Sequence, residues 1–164
     1  MSATNDFLKA NQSYADGFTK SGVPLPPAKK VAVVACMDAR IETGRLLGLQ
    51  EGDAHIIRNA GGVVTEDVIR SLAISQRLLG TKEIVLIHHT DCGMLTFKDD
   101  DVKTQIEQET GLRPQFALEA FPDLQDDIRQ SVRRIQASPF VPHKDGIRGF
   151  IYDVESGRLD EVVD

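Results

Sequence analysis

Two continuous runs of apolar residues constrain most strongly how this chain can fold. The first covers residues 31–35 and the second covers residues 84–87, and neither run alternates with polar residues. Such runs are typical of strands that a parallel sheet buries on both faces. Between them the sequence predicts another strand at residues 54–58, which makes it the second of three in chain order, and an amphipathic helix that Thr65 caps and Gly80 ends. Strands and helices that alternate with short connections indicate an α/β fold.

The remaining segments predict the rest of that fold. Asp99 opens a polar helix that ends at Gly111, and Pro122 opens a helix with an apolar stripe. Residues 147–163 alternate and turn in the way that an antiparallel hairpin does. We therefore predict a central, mostly parallel sheet of flavodoxin-like strand order, with an antiparallel edge strand and flanking helices.

The N-terminal segment is predicted to be an extension of this fold. Residues 1–22 have the pattern of a polar, weakly amphipathic helix with too few apolar positions to form a core alone. A proline-rich segment follows at residues 22–27. It should form an extended strap, because each proline lacks a backbone N–H donor and favours extended geometry in the residue before it. We predict one domain over residues 1–164, with helix and strap in residues 1–28 and the α/β core in residues 29–164.

Charge and composition exclude several classes of partner. The formal net charge is −6, and the acidic residues are scattered, which argues against nucleic acid and against an anionic membrane. No secretory signal is recognisable, and no apolar run approaches the ~20 residues that a membrane span needs. We expect a cytoplasmic protein whose partner is a small molecule or another protein.

The candidate site follows the ends of two predicted strands. Cys36 ends the first strand, and His89 and Cys92 follow the third; the chain has two cysteines in all. In an open α/β sheet of this order, ligands bind beyond the carboxyl ends of the first and third strands, where the winding direction reverses. Thiolate sulfur and imidazole nitrogen are ligands that zinc prefers, and three protein ligands leave a fourth position open, as in catalytic sites. The sequence therefore predicts a zinc site.

Asp38 and Arg40 lie close to this predicted site and admit three interpretations. A carboxylate two residues beyond Cys36 could coordinate zinc itself, or it could accept a hydrogen bond from a bound water. Arg40 would decide between these by holding Asp38 off the metal. In the third interpretation the two residues form only a surface ion pair, which would contribute little.

Other interpretations of the cysteines and histidines fit less well. A His-x-x-Cys pair often arises by chance. In that case the pair would bind no metal, and it would consist of a buried thiol beside a hydrogen-bonded histidine. A redox pair would be spaced Cys-x-x-Cys, and a phosphatase loop would separate its Cys and Arg by five residues, where Cys36 and Arg40 are separated by three. His88 should point away from the site if the strand pleat persists, so we expect it in the core.

Three segments together resemble the signature of a known enzyme family. They are Cys-Met-Asp-Ala-Arg at residues 36–40, Arg-Asn-Ala-Gly at residues 58–61 and His-Thr-Asp-Cys-Gly at residues 89–93. Their residue types, order and spacing are similar to those of the β-class carbonic anhydrases. The resemblance runs from about Val31 through the tail, and the chain's small size is similar to the short microbial branch.

The resemblance implies a function and a role for each matching residue. Cys36, His89 and Cys92 would bind Zn²⁺, and Asp38 with Arg40 would gate the fourth position. The activity would be the reversible hydration of carbon dioxide to bicarbonate and a proton by a zinc-bound hydroxide. The family also implies a homodimer or a higher even homo-oligomer, with the site at a subunit interface and the N-terminal helix over the neighbour.

Some details and alternatives remain open at the level of sequence. We expect backbone amides near Gly61 and Gly62 to shape an apolar slot for the substrate. The same scaffold could instead hydrolyse a related linear molecule, such as carbon disulfide or carbonyl sulfide. The protein could also be a non-catalytic zinc-binding module in which Asp38 is a permanent fourth ligand, or a flavodoxin-like binding domain without a metal.

Overall fold

A five-stranded sheet forms the centre of the structure, a computed structural model that describes residues 2–163. The strands are β1 (Val31–Cys36), β2 (Ala54–Asn59), β3 (Glu83–His89), β4 (Gly146–Tyr152) and β5 (Leu159–Val162). The helices are α1 (Ala3–Asp16), α2 (Thr43–Leu47), α3 (Glu66–Arg77), α4 (Asp99–Thr110) and α5 (Leu124–Ala137). Residues 1 and 164, the two ends of the predicted domain, lie outside the described part of the chain.

The strand order confirms the predicted fold class. The order is β2-β1-β3-β4-β5; the first four strands are parallel, and β5 is antiparallel to β4. The chain passes from β1 outward to β2 and then returns across β1 to β3. The winding direction therefore reverses between β1 and β3, which is where a ligand site is expected.

Each face of the sheet has its own apolar layer. On one face, Val68 and Leu72 of α3 and Ile135 of α5 pack against alternate residues of the central strands. On the other face, Val33 and Ala35 pack against leucines of α2 and of the turn that follows it. The central strands are buried on both sides, which explains their uninterrupted apolar sequences.

The helix boundaries follow local capping chemistry. The Thr65 side chain accepts a hydrogen bond from the Val68 N–H at 3.3 Å and begins α3, as the sequence predicts. Helix α5 begins after Asp123, whose side chain caps it, so the predicted start at Pro122 is slightly early. Residues 60–62 form a 3₁₀ turn in which Gly61 has a φ of 80°.

Helix α1 is shorter than predicted and lies apart from the core. It spans Ala3–Asp16, and Gly17 caps its end. None of its residues is buried, and Phe7 and Leu8 are about two thirds exposed. None of the described helices combines the length and apolar content that crossing a bilayer requires.

Candidate metal centre

The carboxyl ends of β1 and β3 bring the three predicted ligands together. Cys36 is the last residue of β1, His89 is the last residue of β3, and Cys92 follows after a tight turn. The two sulfur atoms and one ring nitrogen all lie within 4.8 Å of one another, and all three residues are buried. Among the described residues, they are the one group of three such side chains that lie close enough to share a metal ion.

The orientation of His89 is fixed by the backbone. Its Nδ1–H donates to the Thr90 carbonyl at 2.8 Å, while its Nε2 is buried and has no hydrogen-bond partner. Thr90 is itself held by β4, because its N–H donates to the Tyr152 carbonyl at 2.9 Å. A histidine that donates from one ring nitrogen and presents the other, unpartnered, has the arrangement of a metal ligand.

The two thiols differ in protonation when they face each other alone. The neighbouring Cys92 thiol lowers the pKa of Cys36, and His89 lowers it further, although burial opposes the shift. The same pairing, together with burial, raises the pKa of Cys92. Two buried sulfurs beside an unpartnered imidazole nitrogen fit a soft or borderline cation such as Zn²⁺, which would hold both sulfurs as thiolates.

Asp38 is held by Arg40 through both carboxylate oxygens. Oδ1 accepts from the Arg40 N–H at 2.8 Å and from Nε at 2.9 Å, and Oδ2 accepts from Nη2 at 2.8 Å. This guanidinium holds the pKa of the Asp38 carboxyl well below its usual range, although burial opposes the shift. Oδ2 lies 3.7 Å from the unpartnered Nε2 of His89, so the carboxylate stands at the edge of the ligand group.

Two residues that sequence reasoning left without a role support these loops. Asp91 accepts from Arg40 through its side chain at 2.7 Å and through its carbonyl at 3.0 Å. Arg58 donates to the carbonyls of Cys36 and Asp38. Arg58 belongs to the second signature segment, which is a usable signal, whereas no spacing rule connects Asp91 with Arg40.

A cavity of about 450 Å³ opens onto the ligand group. Its lining residues are Cys36, Met37, Asp38, Ala60, Gly61, His89, Cys92, Gly93, Met94, Thr96 and Phe97. Most of this wall is apolar, which suits a small uncharged molecule.

The two glycines expected near the substrate have different positions. Gly61 lines the cavity, whereas Gly62 lies behind that wall. A Cβ on Gly62 would approach the Cys36 nitrogen at 2.8 Å and the Ile87 carbonyl oxygen at 2.9 Å. Gly62 therefore permits close backbone packing beneath Cys36, and any effect it has on a substrate slot is indirect.

The other histidines lie outside this group. His88 is buried on the opposite face of β3, as predicted, where its Nε2 lies 2.6 Å from Asp127 of α5. The Nδ1 of His55 lies 2.8 Å from the Ser75 hydroxyl. The backbone of His143 pairs with the side-chain amide of Gln76.

Comparisons with known proteins agree with this geometry. The family model described as carbonic anhydrase matches residues 31–159. β-Carbonic anhydrase 1 of Mycobacterium tuberculosis is 60% identical over 162 residues, which cover 99% of each chain. A crystal structure of carbonic anhydrase from Streptococcus mutans is 44% identical, covers 99% of each chain and superimposes with a TM-score of 0.93.

A second group of relatives is more distant. The carbon disulfide hydrolase of an Acidianus strain is 34% identical over 177 residues, covering 93% of this chain and 85% of that protein. The match to the family model and the 60% identity over almost the full chain both identify carbonic anhydrases as the relatives of this protein. This chain belongs to the β-class carbonic anhydrase family.

Proposed function

We propose that the protein catalyses the reversible hydration of carbon dioxide to bicarbonate and a proton. One observation carries this proposal: Cys36, His89 and Cys92 converge at an apolar cavity whose edge holds the Arg40-paired carboxylate of Asp38. Family membership, with 60% identity to a full-length carbonic anhydrase, supports the same reaction.

Cys36, His89 and Cys92 are the proposed ligands of a Zn²⁺ ion. The unpartnered, buried Nε2 of His89 and the two adjacent sulfur atoms support this assignment. When bound by three protein ligands, zinc acts as a Lewis acid that lowers the pKa of water toward about 7, which supplies hydroxide for hydration.

Asp38 is proposed to orient the reacting water. Its lowered pKa keeps the carboxyl ionised across the neutral range, so it accepts hydrogen bonds and donates none. Arg40 engages both oxygens and fixes the direction in which the remaining lone pairs point. Together they select water that presents an O–H toward Oδ2 and its own lone pair toward the substrate.

The cavity is proposed to hold carbon dioxide against this group. Met94, Phe97 and Ala60 supply an apolar surface next to Asp38. An uncharged linear molecule loses little by leaving water for such a surface, whereas an anion loses its hydration. Gly61 also lines the cavity and adds no side-chain bulk to its wall.

Stopped-flow measurement of carbon dioxide hydration by the zinc-loaded protein tests the activity. We expect the hydration rate to increase toward alkaline pH. Two thiolates would neutralise the charge of Zn²⁺, so the ion would lower the pKa of water less than it does with neutral ligands. The Asp38→Asn variant, with the same shape and no charge, should lose about 10- to 100-fold in kcat. Absence of hydration at any pH in protein with a full complement of zinc would contradict the proposal.

The same preparation separates the proposal from its alternatives. Carbon disulfide or carbonyl sulfide turnover that exceeds carbon dioxide hydration would favour the related hydrolase, whose named relatives are more distant. An inactive Asp38→Ala variant that gains an exchangeable water would favour a closed zinc module in which Asp38 is the fourth ligand.

Thiol chemistry provides an independent test of the proposed ligands. Cys36 and Cys92 are the two cysteines of the chain, and both are buried. Chelator-treated protein should react with a thiol reagent at both sulfurs, and added Zn²⁺ should protect both. Reaction rates that zinc leaves unchanged would refute the ligand assignment.

Residues 1–164 are proposed to act as a single domain that assembles into a homodimer or a higher even homo-oligomer. Helix α1 has no buried residue, and it exposes Phe7, Leu8 and Tyr14. An amphipathic helix whose apolar side chains stay exposed is stabilised by docking, and a second copy would provide that surface. Sedimentation velocity measures the stoichiometry, and a monomer at micromolar concentration would contradict this part.

The proposed location is the cytoplasm. The zinc assignment needs both sulfurs reduced, and a reducing compartment maintains free thiols. Fractionation of cells that produce the untagged protein, followed by immunodetection, tests the location, and recovery outside the cytoplasmic fraction would contradict it.

A further inference from the structure

Arg58 ties the end of β2 to the loop that follows β1. In the sheet Arg58 lies opposite Ala35, one residue before the end of β1. Its Nε and Nη2 donate to the Cys36 carbonyl at 3.0 and 2.9 Å. The same Nη2 donates to the Asp38 carbonyl at 2.7 Å. One guanidinium thus spans the backbone on both sides of Met37.

A backbone hydrogen bond reinforces this connection. The Met37 N–H donates to the Asn59 carbonyl at 2.8 Å, next to Arg58 in the chain. The loop that carries Cys36 and Asp38 is therefore held at three consecutive residues by the last two residues of β2.

The contacts with both carbonyl groups depend on the planar shape of the guanidinium. Arginine presents several N–H donors in a rigid planar fork, so it can satisfy two carbonyl groups at fixed spacing. A lysine ammonium carries the same charge, but it is a point charge on a flexible stem and does not reproduce the fork. Charge and geometry can therefore be separated experimentally at this position.

We infer that Arg58 is a positioning residue for the metal centre. It fixes the backbone between Cys36 and Asp38, and so it sets the approach of one sulfur and one carboxylate to His89. Arg58 is not among the described residues that line the cavity, so it acts through these neighbours and does not touch the substrate. The kinetic part of this inference rests on the proposed function, while the metal-binding part does not.

Zinc affinity and cobalt spectroscopy test the inference directly. The variants are Arg58→Lys, which keeps the charge, and Arg58→Gln, which keeps one amide donor group. Arg70→Lys is the matched control, because Arg70 pairs at 2.8 Å with Asp67 on the exposed side of α3. Zn²⁺ dissociation constants come from chelator competition, and the visible bands of Co²⁺-substituted protein report the ligand geometry.

Both Arg58 variants should bind Zn²⁺ about 10- to 100-fold more weakly than the parent, as loss of a supporting hydrogen-bond partner does at metal sites. Their Co²⁺ bands should shift, whereas Arg70→Lys should match the parent in both measurements. With saturating zinc, kcat for carbon dioxide hydration should fall in the Arg58 variants while KM changes little, because the cavity wall is intact.

The contrary outcomes are distinct. Arg58→Lys with the parent's zinc affinity and Co²⁺ spectrum would overturn the inference, since charge alone would then suffice. Arg58 variants that fail to fold, by circular dichroism and thermal melting, would also overturn it, because the residue would then support the whole fold. Weakened zinc binding in the variants, with a parent that hydrates no carbon dioxide, would leave the inference intact and refute only the proposed function.

Discussion

Arg40 and Asp91 connect the two loops that carry the proposed metal ligands. Although they are 51 positions apart, Nη1 of Arg40 donates to Oδ2 of Asp91 at 2.7 Å, and Nη2 donates to its carbonyl at 3.0 Å. Asp91 adopts a φ of 54°, in the left-handed region that non-glycine residues seldom occupy. The same guanidinium holds Asp38, so one side chain aligns the carboxylate with the His89–Cys92 turn.

Replacing Asp91 should therefore impair catalysis without removing a ligand. We expect Asp91→Ala to lower kcat about 10-fold, because Arg40 loses an anchor and Asp38 loses its fixed direction. Asp91→Asn should retain most of the activity, since asparagine keeps an acceptor and tolerates the left-handed region. Stopped-flow kinetics measures both, with Asp160→Asn, at an exposed position of β5, as the control. Parental kcat in Asp91→Ala would contradict this role.

Gly62 should tolerate no side chain. Its φ is 70°, and a Cβ would lie 2.8 Å from the Cys36 nitrogen. We expect Gly62→Ala to lower the free energy of unfolding by about 2 kcal/mol or more, from backbone strain and overpacking together.

A second glycine separates these two causes. Gly48 has a φ of 64° but open space around its Cβ position, so Gly48→Ala reports strain alone. Urea unfolding of both variants, with zinc content measured in parallel, should show the larger loss and the lower zinc content in Gly62→Ala. Equal losses would show that the contact with β1 is unimportant.

Asp99 should stabilise the protein in a pH-dependent manner. Its carboxylate accepts from the N–H groups of Leu118, Glu119 and Ala120 at 2.8, 3.1 and 2.9 Å. Burial raises the pKa of Asp99, but these backbone hydrogen bonds outweigh it and the net pKa is lowered. A lowered folded-state pKa means that the stabilisation is complete above the unfolded-state pKa, about 3.9, and is lost as pH falls through the folded value.

The Asp99→Asn variant tests this linkage. At pH 7 we expect it to be about 1.5 to 3 kcal/mol less stable than the parent, the range for hydrogen bonds to a charged group. The difference should shrink below about pH 4, where the parent carboxyl gains its proton. Urea midpoints at several pH values measure it, with Asp101→Asn on the same first turn of α4 as the control. A difference independent of pH would contradict the assignment.

The exposed face of α1 should control assembly. Phe7 and Leu8 are 67% and 66% exposed, and their burial against a second copy would contribute roughly 3 kcal/mol. The double substitution Phe7→Ser and Leu8→Ser should therefore raise the dimer dissociation constant by roughly 100-fold. Sedimentation velocity measures the shift, and Lys9→Ser on the same helix is the control. Unchanged assembly in the double variant would exclude α1 from the interface.

Much of the architecture could be predicted because its signals are local. Uninterrupted apolar runs predicted β1 and β3, and Thr65 and Gly111 predicted a helix start and a helix end that capping chemistry fixes. The proposed ligands were predictable because parallel strands end at one edge of the sheet, so residues at strand ends meet whatever their separation in the chain.

The supporting contacts could not be predicted because nothing local encodes them. The reach of Arg58 to two carbonyls depends on the register of β2 against β1, which the sequence does not state. Position 62 requires glycine because the backbones of β1 and β3 pack against it, and both strands are distant from it in the sequence. The helix predicted over residues 1–22 extends past the observed end of α1 at Asp16. The prediction was too long because the periodic apolar residues continue to Phe18, beyond the Gly17 cap.

The pairing of β1 with β3 also has a consequence for biosynthesis. These strands are neighbours in the sheet, but β2 and α3 are made between them. A nascent chain on the ribosome exposes the Cys36 thiol well before His89 and Cys92 have left the exit tunnel. The full set of proposed ligands first exists when β3 pairs with β1, so a metal ion that needs all three ligands would bind only after residues 83–92 have been synthesised.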